Sequence, residues 1–200
     1  MINSNFVILG LILQLIGGWG YLVDTLKGKI QPNKVSWFLW TLAPLIAFAA
    51  EIKQGVGIQS IMTFSVGFVP LVIFIASFFN RKSFWKLARL DFSCGLLSLL
   101  GLLFWYLTQS GNIAIFFSIL SDGLASVPTI IKSYREPESE SGGVYFFGII
   151  NAGIALLTIK DWNFAHYSFP LYILFVDVLI FVLIKFRLGK KLDRNMSVKL

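Results

Sequence analysis

Seven long apolar stretches are the feature that most constrains how this chain can fold. Each holds roughly 16 to 22 residues, and a helix needs about 20 to cross a hydrocarbon core about 30 Å thick. Lipid offers backbone groups no hydrogen-bond partner, so each stretch must be helical. The sequence therefore predicts an all-α polytopic membrane protein with seven transmembrane helices. The predicted spans are Phe6–Leu26, Val35–Ile52, Ile58–Phe79, Phe92–Leu107, Ile113–Ile131, Val144–Ile159 and Phe169–Phe186.

The composition agrees with a membrane protein and argues against several functions. Charged residues make up 14% of the 200 residues, against about 25% in a soluble domain. The sequence has no serine–histidine–aspartate set, no metal-ligand spacing and no phosphate-binding glycine loop, so we expect no enzyme, no cofactor and no metal site. The single cysteine, Cys94, lies within an apolar stretch, and no intrachain disulfide can form.

The basic residues predict the orientation in the membrane. With the N-terminus outside, all of the 17 lysines and arginines except Lys53 and Lys160 fall on the inner side. Basic residues concentrate on the cytoplasmic side, which predicts a multi-pass protein of the cell membrane with its N-terminus outside and its C-terminus in the cytoplasm. The net charge of +7 then follows from topology and from contact with anionic lipid, so we expect no nucleic-acid partner.

A degenerate internal repeat relates the two halves of the chain. The stretch YLVDTLKGKIQPNKVSWFLW, residues 21–40, has a counterpart in SVPTIIKSYREPESESGGVYFF, residues 126–147. At an offset of 105 residues, scarce residues coincide: Lys27 with Lys132, and Pro32 with Pro137. Matches of this kind at a consistent offset indicate a duplicated unit, which should be sought before function is considered.

Each copy of the repeat holds three predicted helices, and both copies begin outside. Three is odd, so one further crossing must separate the copies, and the fourth helix supplies it. The expected architecture is two parallel three-helix bundles joined by a linker helix, in the order three, one, three. The expected divisions are a first repeat (1–80), a basic connector and linker helix (81–110), a second repeat (111–187) and a basic cytoplasmic tail (188–200).

This architecture, with a basic turn after the first helix, resembles the PQ-loop superfamily, and most closely its SWEET and SemiSWEET sugar facilitators. VPTIIKSYREPESES is similar to the second PQ-loop motif, with a helix-kinking Pro128 and with Lys132 before a polar turn. The first copy has Val23–Asp24 where the Pro–Gln pair would fall, and Thr129 stands in place of the glutamine in the second. DTLKGKIQPNKVSWFLW also resembles uncharacterised prokaryotic members of the superfamily.

The resemblance implies a solute pocket between the bundles and alternating access by rocking about proline hinges. Pro128 suits this role because proline removes a backbone hydrogen bond and kinks a helix. The first copy lacks that hinge, and Pro44 and Pro70 are candidate substitutes. Asp24 occupies the family's hinge position and has two interpretations: part of an inner gate, or an ion pair with Lys27 on the helix surface.

Three polar residues within the apolar stretches are candidate solute ligands. Asp122 and Asp177 each lie midway along a predicted span, where a charged aspartate costs about 2.5–3.5 kcal/mol. Such residues bind solute or protons, or they form static hydrogen bonds between helices. The carboxamide of Asn151 can likewise bind hydroxyl or amino groups, or join two helices.

Aromatic residues near the start of the second and sixth spans also have two interpretations. Trp37, Trp40 and Tyr145 either belong to the aromatic belt at the membrane surface or provide a stacking surface for a solute. The two cytoplasmic turns differ in charge, since the second contains Glu136, Glu138 and Glu140. A lysine of the first turn, Lys29 or Lys34, could pair with one of these glutamates across the inner mouth; the alternative is solvated loop charge.

These features predict a transporter that moves a small polar solute by alternating access, with sugar as the first expectation and an amino acid as the second. Proton coupling through the membrane acids is a further expectation. The expected partners of the protein are the solute, protons and the lipid bilayer. The sequence is also compatible with a homo-oligomer. The alternative is a membrane receptor or assembly factor that does not transport. A cavity at mid-depth lined by Asp122, Asn151 and Asp177 would favour transport, whereas a packed centre would favour the receptor.

Overall fold

The structure is a computed structural model that describes residues 2–79, 86–108 and 111–190, and these residues form helices joined by short turns. The helices are α1 (Phe6–Leu26), α2 (Lys34–Lys53), α3 (Ser60–Ala76), α4 (Arg89–Thr108), α5 (Gly111–Arg135), α6 (Gly143–Thr158) and α7 (Phe164–Phe186). Short 3-10 helices precede α3 at Gly57–Gln59 and α6 at Pro137–Ser139. The prediction of an all-α protein is confirmed for the described residues.

The predicted helix boundaries agree best where the apolar stretch alone sets them. Helix α1 begins and ends at the predicted residues. Helix α5 continues beyond the predicted Ile131 to Arg135, because Lys132 is buried and bonded within the protein. Helix α7 begins five residues before the predicted Phe169, where the side chain of Asn163 accepts a hydrogen bond from the backbone of His166.

Five helices of the described chain are long and apolar enough to cross a membrane. They are α1, α2, α3 together with its preceding 3-10 turn, α5 and α7. Helix α6 is apolar but has only 16 residues. The protein is therefore a polytopic helical membrane protein, as its apolar composition predicts.

The helices pack in a pattern that repeats between the two halves. Helix α3 lies between α1 and α2, and α7 lies between α5 and α6. The two sets join through α1 against α6 and α2 against α5. Exchanging α1, α2 and α3 for α5, α6 and α7 leaves this pattern unchanged. Helix α4 packs mainly on α5 and also touches α2.

Backbone contacts between the two turns define one end of the helix assembly, named here the turn end. Gln31 of the first turn donates its backbone N–H to the backbone oxygen of Ser139 at 3.0 Å. At the opposite end, named the far end, Ile2 donates its backbone N–H to Leu157 at 3.1 Å. The chain therefore enters α1 at the far end and leaves it at the turn end, and α6 runs in the opposite direction.

Candidate functional site

A narrow cavity lies where the two halves of the molecule meet. Its free volume is about 50 Å³, which is room for a few water molecules and far less than the roughly 300 Å³ of a drug-sized pocket. All six helices other than α4 contribute to its wall. The lining residues are Gln14, Trp37, Trp40, Val66, Val69, Pro70, Asp122, Val144, Tyr145, Ile173, Val176 and Asp177.

The cavity occupies the boundary between two buried apolar clusters. Towards the far end, Val66 and Ile173 belong to a cluster with Met62 and Phe169. Towards the turn end, Trp37 belongs to a second cluster, whose other aromatic members include Trp40 and Tyr145. The site therefore lies between an apolar cluster on one side and an aromatic cluster on the other.

Asp122 and Asp177 both line this cavity, whereas Asn151, the third residue of the expected set, does not. Asp122 is 2% exposed. Its Oδ2 accepts a hydrogen bond from the Tyr172 hydroxyl at 2.6 Å, and its Oδ1 has no hydrogen-bond partner in the described structure. Asp177 lies against Gly148 of α6, where a β-carbon would collide with its carboxylate. The carboxamide oxygen of Gln14 faces the same glycine.

The aromatic residues of α2 and α6 form one wall of the cavity. Trp37 is 2% exposed and Trp40 is 7% exposed, so neither belongs to a surface aromatic belt. Their rings meet edge to face with centroids 5.2 Å apart, and the ring of Tyr145 lies 6.4 Å from that of Trp40. The indole N–H of Trp40 points to the hydroxyl of Ser126 at 3.3 Å, which joins α2 to α5.

A buried ion pair closes the turn end beneath these aromatics. The Lys132 ammonium donates to Glu140 Oε1 at 2.7 Å, and both side chains are fully buried. Lys132 also donates to the backbone oxygen of Gln31 in the first turn. Glu140 Oε2 accepts from the Tyr21 hydroxyl at 2.6 Å and from the Tyr145 hydroxyl at 3.5 Å. This network connects α1, α5, α6 and both turns.

The expected pairing of Lys29 or Lys34 with the acidic turn does not occur in the described structure. Lys29 pairs with Asp24 at 3.5 Å on the surface, and Lys34 lies 4.1 Å from the centre of the Phe78 ring. Two other lysines bind the acidic turn: Lys132, which the end of α5 carries inward beside Glu140, and Lys190, which binds Glu138. Asp24 has its surface partner in Lys29, and not in Lys27 as the sequence spacing suggested.

Glu138 of the acidic turn makes a different set of contacts, outside the helix assembly. Its carboxylate accepts hydrogen bonds from the Lys190 ammonium at 2.6 and 2.7 Å, and Arg187 lies 3.6 Å away. The bond from Lys190, helped by the nearby positive charge of Arg187, lowers the pKa of Glu138 below its usual value. These contacts join the segment after α7 to the turn between α5 and α6.

Asn151 joins two helices and lies apart from the cavity wall. Its amide donates to the hydroxyl of Ser65 at 2.9 Å, connecting α6 to α3. Its side-chain oxygen packs so closely on Gly10 that no β-carbon would fit there. This geometry matches the interpretation of Asn151 as a contact between helices.

The candidate hinge prolines lie inside continuous helices. Pro44 is within α2, Pro70 within α3 and Pro128 within α5, and Pro70 lines the cavity. A fourth proline, Pro170, lies within α7. Each removes one backbone hydrogen bond from its helix.

Several residues of the site were missed by the sequence analysis. Gln14 and Tyr172 were overlooked because neither carries charge, although a glutamine within an apolar span was a usable signal. Glu51 is 1% exposed in α2, with its Oε1 accepting from Thr63 at 3.0 Å. The predicted span Val35–Ile52 ends one residue after Glu51, where a carboxylate is unremarkable, and Glu51 lies outside the set of residues that line the cavity. The Lys132–Glu140 pair forms only in the folded turn, and the spacing of the two residues in the sequence does not predict it.

Comparison with known proteins identified no family model, no curated protein and no solved structure that matches this chain.

Proposed function

We propose that this protein is a transporter of the PQ-loop type that moves a small polar solute across the cell membrane by alternating access. The observation that carries the proposal is the cavity between the two halves, lined by Asp122 and Asp177. Two acids placed deep among apolar helices are costly unless they serve a solute, an ion or each other. Transporters built from structural repeats bind their solute at such a junction.

The proposed arrangement is seven crossings, with two parallel three-helix bundles joined by α4. The repeating contacts of α1–α3 and α5–α7 support it. So does the position of Asp91 at the start of α4, which accepts a hydrogen bond from Asn33 at the turn end. We place the turn end in the cytoplasm, because the turn end carries most of the basic residues.

The buried network around Lys132 and Glu140 acts as the inner gate in this proposal. It lies between the cavity and the turn end, and it joins the first turn to the second half of the molecule. Opening towards the cytoplasm would separate Gln31 from Lys132 and Tyr21 from Glu140. The prolines of α2, α3 and α5 would absorb the bending that this requires.

Proton coupling through Asp122 or Asp177 belongs to the same proposal. Asp122 is held by Tyr172 through one oxygen only, which leaves the other available to a proton or a solute. Asp177 lines the same cavity from the neighbouring helix. A proton and a solute could therefore bind the carboxyl groups of Asp122 and Asp177 one after the other.

Transport by purified protein in liposomes tests the proposal. Flux of labelled sugars, amino acids and monovalent cations should be saturable for at least one class, and Asp177→Asn should lower it by about tenfold or more. Coupling is measured separately by imposing a pH gradient. If Asp122→Asn and Asp177→Asn both leave pH-dependent flux intact, the proton role is wrong. If no solute of the panel shows flux or saturable binding, the transport proposal fails.

A membrane receptor or assembly factor is the second candidate, and the small free volume of the cavity favours it. In that case the two turns would form a fixed cytoplasmic surface. Cross-linking Gln31→Cys to Ser139→Cys distinguishes the two functions, because their backbones are joined by a hydrogen bond. A transporter should lose flux when this bridge forms and regain it on reduction. A receptor that does not transport should show no flux in either state.

A further inference from the structure

Of the three buried polar atoms that the cavity leaves without partners among the described residues, two are acceptors and the third is the indole N–H of Trp37. Asp122 Oδ1 and Gln14 Oε1 are buried and have no hydrogen-bond partner in the described structure. Asp177 is partly buried, and no hydrogen bond or ion pair joins it to another described residue. Asp122 is 2% and Gln14 is 5% exposed, so bulk water does not replace the missing donors. A buried acceptor without a donor costs about 1–3 kcal/mol, and more when it is charged.

No positive side chain balances the two carboxyl groups among the residues that line the cavity. Among the described residues the buried basic side chain is Lys132, and its ammonium is already bonded to Glu140, Gln31 and Ser139. The two carboxyl groups are therefore neutralised either by protons or by a cation that enters from outside the protein. A buried carboxylate is tolerated when a cation pairs with it and donates hydrogen bonds.

The remaining wall is aromatic, which suits an organic cation. The rings of Trp37, Trp40 and Tyr145 all line the cavity, and neighbouring rings in this series meet edge to face. Tryptophan and tyrosine faces attract ammonium groups at distances up to about 6 Å. A hydrated metal ion would gain little from this wall, whereas the hydrocarbon part of an amine would pack against it.

We propose that the solute of this cavity is a small protonated amine without a carboxylate, held by Asp122 and Asp177 and packed against the three aromatic rings. This inference rests on the proposed transport function and narrows its solute class. A carboxylate on the solute would meet two acids and no base, which disfavours acidic and zwitterionic compounds. The free volume of about 50 Å³ favours a compact molecule.

Two probes of equal size that differ in charge provide the test. Ethanolammonium and ethylene glycol each have four heavy atoms, and only the first carries an ammonium at neutral pH. Binding to the full-length protein in lipid nanodiscs is measured by calorimetry, with glucose, alanine and sodium chloride as further probes. Ethanolammonium should bind saturably, and ethylene glycol and glucose should bind at least about tenfold more weakly.

Isosteric variants place the binding in the cavity. Asp177→Asn keeps the shape of the side chain and removes its charge, and it should weaken ethanolammonium by about tenfold or more. Asp161→Asn, an exposed acid of the far end, is the matched control and should bind like the parent protein. Asp122→Asn retains an acceptor for Tyr172, so a loss of binding there reports the lost charge and not the lost hydrogen bond.

Each outcome bears on one proposal. Saturable binding and flux of glucose without ethanolammonium binding would overturn the amine class and leave transport intact. Sodium chloride that competes fully with ethanolammonium at equal concentration would point to a metal cation and overturn the organic class. Equal weakening by Asp161→Asn and Asp177→Asn would show non-specific attraction and overturn the cavity assignment. No binding and no flux of any probe would overturn both proposals.

Discussion

Asp122 and Asp177 line one cavity but differ in how the protein holds them. Asp122 is fixed by Tyr172 of α7, and its backbone carbonyl accepts from the hydroxyl of Ser126 at 2.8 Å. Asp177 depends on packing against Gly148 of α6. The absence of a side chain at Gly148 gives the Asp177 carboxylate its place, and this close approach is what requires glycine there.

A pair of glycines on α6 tests this requirement within one helix. Gly148→Ala places a β-carbon where the Asp177 carboxylate lies, whereas nothing lies within 4 Å of a β-carbon at Gly153. Gly148→Ala should weaken solute binding by about tenfold. Gly153→Ala should leave binding unchanged and raise the stability by at most about 1 kcal/mol, because alanine favours a helix more than glycine does.

Solute binding and thermal unfolding in detergent, measured on both variants, check this prediction. Unchanged binding in Gly148→Ala would show that Asp177 moves aside freely, and that its position against α6 has no influence on the site.

At the scale of elements, the two turns have the same place in the repeat but different chemistry. The first turn is basic and supplies backbone groups, and Gly28 there adopts a positive φ of 70° that glycine tolerates best. The second turn is acidic and supplies Glu140 to the buried network and Glu138 to Lys190. The two turns therefore occupy equivalent places in the contact pattern and make contacts of different chemistry.

Breaking the buried pair should have a large effect on stability and on the inner gate. Glu140→Gln leaves the Lys132 ammonium buried without its negative partner, which costs roughly 3–5 kcal/mol in comparable pairs. Asp24→Asn removes the surface pair with Lys29, whose side chain is 63% exposed, and should cost less than about 1 kcal/mol. Unfolding of both variants in detergent compares these costs.

Accessibility gives a second measurement of the gate in the same variants. Cysteine introduced at Val144, a buried lining residue, should react with a water-soluble maleimide faster in Glu140→Gln than in Asp24→Asn, with Cys94 replaced in both. Equal reaction rates would show that the pair stabilises the fold without controlling access.

The whole molecule has two chemically different ends, and the helices run between them in alternating directions. Most basic residues lie at the turn end, while Lys53 and Lys160 lie towards the far end. The cavity falls between these ends, at the contact of α1, α2 and α3 with α5, α6 and α7. One pattern of contacts therefore accounts for both the pseudosymmetry and the site.

The orientation in the membrane is tested by cysteine labelling in intact cells of a Cys94→Ser background. Lys160→Cys should react with an impermeant maleimide from outside, because Lys160 is exposed at the far end. Lys27→Cys, exposed at the turn end, should react only after the membrane is permeabilised. The reverse pattern would contradict the orientation inferred from the basic residues.

The sequence by itself determined the membrane class and the positions of the helices, because the length and apolarity of a span depend only on local composition. Helix α1 shows this most clearly, since both of its ends follow from the sequence. The presence of Asp122 and Asp177 as the exceptional residues was also local information. Their contacts were not, because they depend on which helix faces lie against each other.

Tertiary structure alone decided which of the alternatives applies to each residue. Trp37 and Trp40 begin a helix, as belt residues do, but the contact of α2 with α5 buries them beside the cavity. Asn151 resembles the aspartates in sequence context, yet the packing of α6 on α3 directs it to Ser65. Lys132 could not be recognised as the partner of Glu140, since that pair forms only when a lengthened α5 meets a folded turn. The directions and separations of the packed helices decide which side chains touch. The local sequence around one residue does not show them.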